Sequence, residues 1–307
     1  MSLPGTLEVP RGLVAIDGVL VDRGAATVSV YDRGFLYGDS VFETMRTYSG
    51  LLFRLDDHMR RLARSLEIVG MGAVVDVASL GREVAALTTE ARLRLTVPGA
   101  PAPEITSRVM VSRGEGPLGL LPPPGLVPRR VLFLEPCVMP SAEAYEDGVD
   151  VVTVPTFRPS DAARGAKVGN YLESVLALSR AKDKGAVEAL IVDGAGFVIE
   201  GTTSNVFGVR EGRLVTPPAT STLLPGITRR TVFEIAADRA LPIEERNISP
   251  EELASMDEVF ITSTVREILP ARQVDGRQLP TARPVTRALR EAFRRRTDGG
   301  PSAQRAS

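Results

Sequence analysis

The chain of 307 residues contains one cysteine and one histidine, and these two scarcities exclude several kinds of enzyme chemistry. Cys137 alone permits neither an intramolecular disulfide nor a cysteine-rich metal site. His58 alone permits no two-histidine metal site and no HExxH motif, and a Ser-His-Asp triad would have to use this residue. We therefore expect no metal centre, and we favour a chain that takes its chemistry from an organic cofactor.

Long apolar runs and an excess charge of either sign are also missing. No run approaches the ~20 apolar residues that span a bilayer, and the segment MSLPGTLEVPRG lacks the basic and apolar regions of a signal peptide. The 37 Lys and Arg residues are balanced by 38 Asp and Glu residues, which does not favour nucleic-acid binding. We expect an ordinary cytoplasmic protein with neither a membrane nor a nucleic-acid partner.

The hydrophobic pattern predicts strands and helices in both halves of the chain. In the first half, strands are predicted at residues 12–30, 41–48, 107–114 and 129–136, and helices at about 56–69 and 78–87. In the second half, strands are predicted at residues 149–157, 187–194, 197–201, 205–209, 213–217 and 257–265, and helices at 171–184, 227–239, 251–257 and 286–296. The residues between the halves, PCVMPSAEAYEDG, are the best candidate for a domain boundary.

The helix predicted at about residues 56–69 begins in the polar segment DDHMRRLARSLEIVG. Asp56 or Asp57 is expected to cap it. His58 follows in the first turn, where we expect a solvated or locally hydrogen-bonded side chain rather than part of a site. The apolar stripe would consist of Met59, Leu62, Leu66 and Val69.

The helix predicted at residues 171–184 follows Asn170 in the segment AKVGNYLESVL. Asn170 is expected to cap this helix, with Glu173 returning the hydrogen bond as in a capping box. The inner face of the helix is predicted to consist of Leu172, Val175, Leu176 and Ser179.

The stretch of residues 167–230 combines a lysine, a glutamate and a helix start that could serve one ligand. Lys167 precedes a predicted helix, where its amine can project into a cleft. Glu200 lies in an apolar strand, where a carboxylate is costly unless it is paired, and a protonated pyridine nitrogen is such a partner. Residues 226–228, Gly-Ile-Thr, begin a helix, where free N–H groups and the helix dipole can hold a phosphate. These are the three parts that would hold pyridoxal phosphate.

With a lysine upstream, the segments EGTTSNVF and LPGITR resemble those of the class IV aminotransferases, the fold type IV group of pyridoxal phosphate enzymes. The resemblance covers about residues 12–290. It implies an α/β (α+β) fold of two domains, with the active site in the cleft between them. The implied parts are a small N-terminal domain at 1–136, an interdomain loop at 137–148, a large cofactor-binding domain at 149–296 and a disordered tail at 297–307.

The same resemblance implies roles for individual residues at the cofactor. Lys167 is the implied catalytic residue, which forms a Schiff base with the cofactor aldehyde and moves a proton between two carbons. Arg54, in LLFRLDDH, is implied to bind the phosphate through its planar guanidinium, and Tyr171 to contact the ring oxygen. The other implied cofactor-binding residues are Glu200, Ser204, Asn205, Ile227, Thr228, Ser263 and Thr264.

The substrate pocket is implied to use residues of the first domain and of a second subunit. Its wall would consist of Phe35, Tyr37, Phe42 and Glu43, in RGFLYGDSVFET. Arg108 matches an arginine that assists binding of the substrate carboxylate, and Arg94 is a competing candidate. Leu118, in the segment Leu-Gly-Leu, resembles part of a loop that reaches the neighbouring subunit's active site. The resemblance therefore implies a homodimer.

The implied activity is transamination with ping-pong kinetics, in which an amino acid gives its amino group to a 2-oxo acid such as 2-oxoglutarate. Elimination of pyruvate by an aminodeoxychorismate lyase and transamination of (R)-amines are the alternatives. Between L-branched-chain and D-amino acids the sequence leaves the donor open. The spacing from Lys167 to Asn170 is one residue shorter than in branched-chain enzymes, and Thr106 stands where they usually have an aromatic residue.

Overall fold

The computed structural model describes residues 12–155, 165–219 and 223–298. Its contacts divide the chain into two units, Met1–Val138 and Met139–Ser307. Each unit combines helices with a sheet, so the predicted α/β class is confirmed. No helix in the described residues is long and apolar enough to cross a membrane.

The first unit contains a six-stranded antiparallel sheet in the order β2-β1-β6-β5-β3-β4. Its strands are β1 (Leu13–Ile16), β2 (Val19–Val21), β3 (Ser40–Tyr48), β4 (Leu51–Leu52), β5 (Ile105–Ser112) and β6 (Arg129–Pro136). Its helices are α1 (Arg33–Tyr37), α2 (Leu55–Ile68) and α3 (Val77–Arg94), and two short 3-10 turns lie at Arg23–Ala25 and Gly72–Val74.

Strand β3 turns alternate side chains to the two faces of this sheet. Phe42 and Thr44 lie on one face, and Glu43 lies on the other face, where α2 packs. The carboxylate of Glu43 is fully buried and binds His58 Nδ1 at 2.7 Å, Arg61 Nε at 2.6 Å and Arg61 Nη2 at 2.8 Å. Burial alone would raise the pKa of Glu43, but Arg61 and His58 lower it to about 2.

Two expectations for this region are therefore wrong. Glu43 is not part of a pocket wall, because its carboxylate is enclosed between β3 and α2. His58 is not solvated, because only 1% of its surface is exposed and its ring binds Glu43. Helix α2 also begins one residue before the expected caps, at Leu55, with Arg54 in the cap position.

The second unit contains a nine-stranded mixed sheet, in which β12, β11, β10, β13, β14, β7, β8 and β9 are neighbours in that order and β15 pairs with β14. Its strands are β7 (Val149–Pro155), β8 (Glu188–Val192), β9 (Val198–Gly201), β10 (Asn205–Arg210), β11 (Arg213–Thr216), β12 (Ile243–Glu245), β13 (Glu258–Ser263), β14 (Glu267–Val274) and β15 (Arg277–Gln278). Its helices are α4 (Ala142–Glu146), α5 (Leu172–Asp183), α6 (Ile227–Asp238), α7 (Pro250–Leu253) and α8 (Pro284–Asp298).

The sheet of the second unit is covered on both faces, so its central strands are almost wholly apolar. Val151 of β7 belongs to one buried cluster, and Val152 and Val154 belong to another. Phe207 of β10 stacks on Phe260 of β13 at 5.0 Å between ring centroids. Phe207 also meets Phe233 of α6 edge-on at 6.2 Å, and this contact fixes α6 across the two strands.

Helix α5 packs with the face opposite to the predicted one. Ala177 and Ala181 are buried against the sheet, whereas 65% of Leu172, 58% of Val175 and 52% of Leu176 are exposed. The small alanine side chains let the helix lie close to β7 and β8, and the large apolar residues remain outside. The predicted cap is also wrong, because Tyr171 is the N-cap residue and makes no side-chain capping bond.

The remaining differences concern short or irregular elements. The strands predicted within 12–30 are β1 and β2, which end at Val21, and the helix predicted at 78–87 continues to Arg94. Helix α1 was not predicted, and Asp32 Oδ1 caps it by accepting from Gly34 N at 2.7 Å. Strands β12, β14 and β15 were not predicted, and α8 continues to Asp298, where the tail was expected. The last two residues of the strand predicted at 149–157 and the predicted tail from 299 lie outside the described residues.

The buried Glu43 carboxylate predicts a pH-dependent stability. Its pKa lies near 2 in the folded chain, below the ordinary 4.5, so its contribution is complete above about pH 4.5 and is lost as the pH falls towards 2. We expect Glu43→Gln to lower the free energy of unfolding by about 2–3 kcal/mol at pH 7. In denaturation experiments, this difference from the wild type should persist at pH 5 and shrink at pH 4 and pH 3.

A matched control for this prediction is Glu67→Gln, which removes an exposed carboxylate from α2, the helix that packs on Glu43. It should change the stability little at any of these pH values. A difference between Glu43→Gln and the wild type that stays constant from pH 7 to pH 3 would contradict the assignment of the buried ion pair.

Candidate active site

Lys167 and Tyr171 lie together at the entrance of α5. Both side chains are half-buried, and Lys167 Nζ donates a hydrogen bond to Tyr171 Oη at 3.2 Å. The same Nζ lies 5.8 Å from the centre of the tyrosine ring. The amine is thus held by a phenol, a group that can accept a hydrogen bond or donate one.

Glu200 is the penultimate residue of β9, and its side chain is buried. Its Oε2 accepts from Leu224 N at 3.0 Å and from Asn205 Nδ2 at 3.4 Å. Asn205 Nδ2 also donates to Leu224 O at 2.9 Å, so the amide joins the strand end to the segment that leads into α6. These amide donors fix the position of the carboxylate, and its negative charge suits a cationic ligand.

The start of α6 has the character of an anion site. Gly226 occupies the cap position without a side-chain capping bond, and the first turn contains no acidic residue. The first N–H groups of such a helix point outwards with a partial positive charge. A Cβ at Gly226 would lie 2.1 Å from Asn205 Oδ1, so only glycine allows this approach.

Strand β13 runs beside this helix start. Thr262 pairs with Asn205 across the sheet, so their side chains lie on the same face. Thr262 Oγ1 is buried and has no hydrogen-bond partner among the described residues. A buried hydroxyl of this kind is normally satisfied by a ligand or a water molecule.

Ser263 and Ser204 lie at opposite ends of one polar cluster, which is centred on Glu188. Ser263 Oγ accepts from Arg266 N and Arg266 Nε, each at 3.3 Å. Arg266 Nη2 donates to Glu188 Oε2 at 2.6 Å, and Ser204 Oγ donates to the same oxygen at 2.9 Å. The hydroxyl of Ser204, a predicted cofactor-binding residue, therefore supports the loop after Glu200.

The donor set of the second unit fits pyridoxal phosphate. It has an amine at Lys167, a fixed buried carboxylate at Glu200 and an uncapped helix start at Ile227 and Thr228. These groups match an aldehyde, a ring nitrogen and a phosphate, respectively. The buried hydroxyl of Thr262 is a further group that a bound ligand can satisfy.

Arg54 occupies the cap position of α2 with a left-handed backbone, φ 51°. Its side chain is almost wholly buried, and Nη1 donates to Asp57 Oδ2 at 3.2 Å. Asp56 and Asp57 lie in the first turn of the same helix, so the guanidinium of Arg54 is paired with a carboxylate in this structure.

The two arginines proposed for the substrate carboxylate have different surroundings. Arg108 of β5 lies on the open face of the sheet, 5.1 Å from the ring centre of Phe42, and its Nε donates to Thr44 Oγ1 at 3.2 Å. Arg94 lies in the last turn of α3 and pairs with Glu90 at 2.5 Å, as exposed i,i+4 charges commonly do. The surroundings favour Arg108.

The segment around Leu118 is tied to α1 by a residue that the sequence reading missed. Arg33 is 2% exposed, and it donates to Gly119 O at 2.8 Å and to Leu120 O at 2.7 Å. Tyr37 Oη accepts from Gly119 N at 2.9 Å, and the Tyr37 ring stacks against the guanidinium of Arg33. An arginine in a loop is usually solvated, so no local pattern could have identified this one. Phe35 and Leu118 themselves are 68% and 71% exposed.

Comparison with known proteins agrees with this geometry. A family model described as amino-transferase class IV matches residues 40–274. A putative branched-chain-amino-acid aminotransferase of Methanocaldococcus jannaschii is 36% identical over 285 residues, covering 92% of this chain and 95% of that protein. A D-alanine aminotransferase of Bacillus licheniformis is 31% identical over 271 residues, covering 88% and 91%. The solved structure of the Escherichia coli branched-chain amino acid aminotransferase has a TM-score of 0.83 at 32% identity, covering 92% and 93%.

The close approach at Gly226 predicts a selective effect of one methyl group. Gly226→Ala keeps an allowed backbone conformation, φ −66°, but its Cβ would displace Asn205 and with it the contacts of Glu200. We expect the dissociation constant for pyridoxal phosphate to rise about tenfold or more, because a contact at 2.1 Å must open. Gly194→Ala is the control, since nothing lies within 4 Å of its added Cβ. If Gly226→Ala and Gly194→Ala bound pyridoxal phosphate with equal affinity, the close approach of residue 226 to Asn205 would not be needed for binding.

Proposed function

The chain belongs to the class IV aminotransferase family, and we propose that it transfers the amino group of an L-branched-chain amino acid to a 2-oxo acid such as 2-oxoglutarate. Membership confirms the resemblance read from the sequence, together with fold type IV and the use of pyridoxal phosphate. The protein is thus a pyridoxal-phosphate-dependent aminotransferase. Neither the elimination reaction of a lyase nor transamination of (R)-amines is favoured, because the relatives are branched-chain and D-alanine aminotransferases.

One observation carries the proposal: the buried Glu200 carboxylate is held by amide donors beside an uncapped helix start. When bound, pyridoxal phosphate supplies the aldehyde that takes up the amino group and the ring that disperses negative charge from Cα. Glu200 would hold a proton on the ring nitrogen, and Asn205 fixes the position of this carboxylate by a hydrogen bond. Ile227 and Thr228 would bind the phosphate through their backbone N–H groups, as helix starts do.

Lys167 is proposed to move the proton of the reaction. Its Nζ would take the proton from the substrate Cα and return it at the neighbouring carbon of the cofactor. Tyr171 Oη orients this amine through the 3.2 Å hydrogen bond. Ser263 Oγ accepts two N–H groups from Arg266, so its own proton is left to donate to the phosphate. Thr264 and Arg54 are proposed as the remaining phosphate contacts.

The first unit is proposed to supply part of the substrate pocket. Phe42 is buried beneath Arg108 and is proposed as part of the pocket wall, and Arg108 would hold the substrate carboxylate as a planar fork. Tyr37 and Arg33 fix the segment of Leu118, whose exposed apolar side chain is available to a second subunit. Phe35 is exposed beside this segment and is proposed as a further wall of the pocket.

We further propose that the protein works as a homodimer. The large apolar residues of α5, Leu172, Val175 and Leu176, are exposed in the single chain, which is unusual for adjacent helical positions and typical of an interface. In sedimentation experiments we expect the protein to have twice the mass of one chain. Leu176→Glu should shift the measured mass towards that of the monomer. A wild type that sediments only as a monomer would contradict the dimer. A cytoplasmic location stays a prediction.

A D-amino acid is the second candidate for the donor. The D-alanine aminotransferase of Bacillus licheniformis matches 88% of the chain at 31% identity. The short spacing from Lys167 to Asn170 is also more similar to such enzymes than to branched-chain ones. The choice depends on which face of Cα is turned to Lys167.

Half-reactions followed by absorbance decide between the two donors. The protein loaded with pyridoxal phosphate is mixed in turn with L-leucine, D-alanine, D-glutamate and (R)-phenylethylamine, without an acceptor. We expect the cofactor band to convert with L-leucine alone, because the proposed donor is an L-branched-chain amino acid and its enantiomer would turn the other face of Cα to the amine of Lys167. Lys167→Ala should abolish conversion with every donor. Conversion with a D-amino acid and none with L-leucine would overturn the branched-chain proposal.

A further inference from the structure

Glu188 is a second fully buried glutamate, and no part of the proposed reaction uses it directly. It is the first residue of β8, beside the end of β9 where Glu200 lies. Burial alone would raise the pKa of Glu188, but Arg266 and the neighbouring hydroxyls lower it. The group is therefore a carboxylate anion that depends on its donors.

One set of donors comes from the loop between Glu200 and Asn205. Thr202 donates from its backbone N at 3.1 Å and also from its hydroxyl. Ser204 and Thr203 donate from their hydroxyls at 2.9 and 3.2 Å. The short loop between Glu200 and Asn205 is thus hydrogen-bonded to the carboxylate of Glu188.

A further donor is Arg266, which lies 78 positions away in the chain. Its Nη2 donates to Glu188 Oε2 at 2.6 Å and to Thr203 Oγ1 at 2.5 Å. Its Nε and its backbone N both donate to Ser263 Oγ at 3.3 Å. The guanidinium is therefore anchored at one end by a buried charge and directs a serine hydroxyl at the other.

We propose that Glu188 and Arg266 are positioning residues that set the orientation of the Ser263 hydroxyl and so give the site its preference for a phosphorylated cofactor. The inference rests on the proposed function. Two N–H groups occupy the acceptor side of Ser263 Oγ, so its single proton would be left for the phosphate oxygen that the proposed function assigns to it. A lysine at position 266 could not do this, because it lacks the planar fork that reaches Glu188 and Ser263 at once.

The test compares pyridoxal phosphate with pyridoxal, which lacks only the phosphate. Apoenzyme of the full chain is titrated with each compound. The readout is the dissociation constant of pyridoxal divided by that of pyridoxal phosphate. Arg266→Gln and Glu188→Gln should weaken pyridoxal phosphate about tenfold, the usual effect of losing a charge-assisted contact, and pyridoxal less than about twofold. Ser263→Ala should lower the ratio similarly, and adding it to Arg266→Gln should lower the ratio little further.

Glu258→Gln is the matched control, since Glu258 is a buried carboxylate of the same unit that accepts from Val285 N at 2.9 Å and Thr286 N at 2.7 Å. It should destabilise the chain and leave the ratio unchanged. If Glu188→Gln does not fold, Arg266→Gln and Ser263→Ala decide the matter alone.

Equal weakening of both compounds in Arg266→Gln, or no weakening of either, would overturn the positioning role. A wild type that prefers pyridoxal phosphate while all the variants keep that preference would overturn this inference alone. A wild type that binds neither compound would instead overturn the proposed function.

Discussion

Removing a carboxylate from water costs free energy unless the group is paired, and the candidate site depends on the donors that pair with three buried glutamates. Glu43 binds His58 and Arg61, Glu188 binds Arg266 and three loop residues, and Glu200 accepts from two amide donors. The first two glutamates join elements of the fold to one another. Glu200 lies beside the uncapped start of α6, where a ring N–H would be a charged partner for it. We therefore propose Glu200 as the glutamate that contacts the cofactor, and Glu43 and Glu188 as supports of the fold around it.

Each supporting glutamate fixes an element that bears a proposed phosphate contact. Glu43 joins β3 to α2, and Arg54 is the first residue before that helix. Glu188 joins the loop at 202–204 to Arg266 and through it to Ser263. Buried charge pairs add little net stability compared with apolar packing. Their value here is geometric, since a charge-assisted bond fixes direction as well as distance.

The parts of the site that the sequence predicts are those whose chemistry is local. A glutamate in an apolar strand and a Gly-Ile-Thr at a helix start stand out by their neighbours alone, and the structure joins them through Asn205. Arg33 and Arg266 gave no such signal, because their partners lie 86 and 78 positions away. The orientation of α5 was also beyond the sequence. Both its leucine and its alanine stripes are apolar, and only the close packing on β7 and β8 selects the alanines.

Lys167 is proposed as the amine that holds the cofactor. The chain has three lysines, and the other two, Lys182 and Lys184, lie at the C-terminal end of α5. Borohydride reduction of the protein loaded with pyridoxal phosphate, followed by peptide mass spectrometry, locates the amine that has reacted. We expect a phosphopyridoxyl group on Lys167 at about one per chain, with Lys182 and Lys184 unmodified. A modification on either of those two lysines with Lys167 unchanged would contradict it.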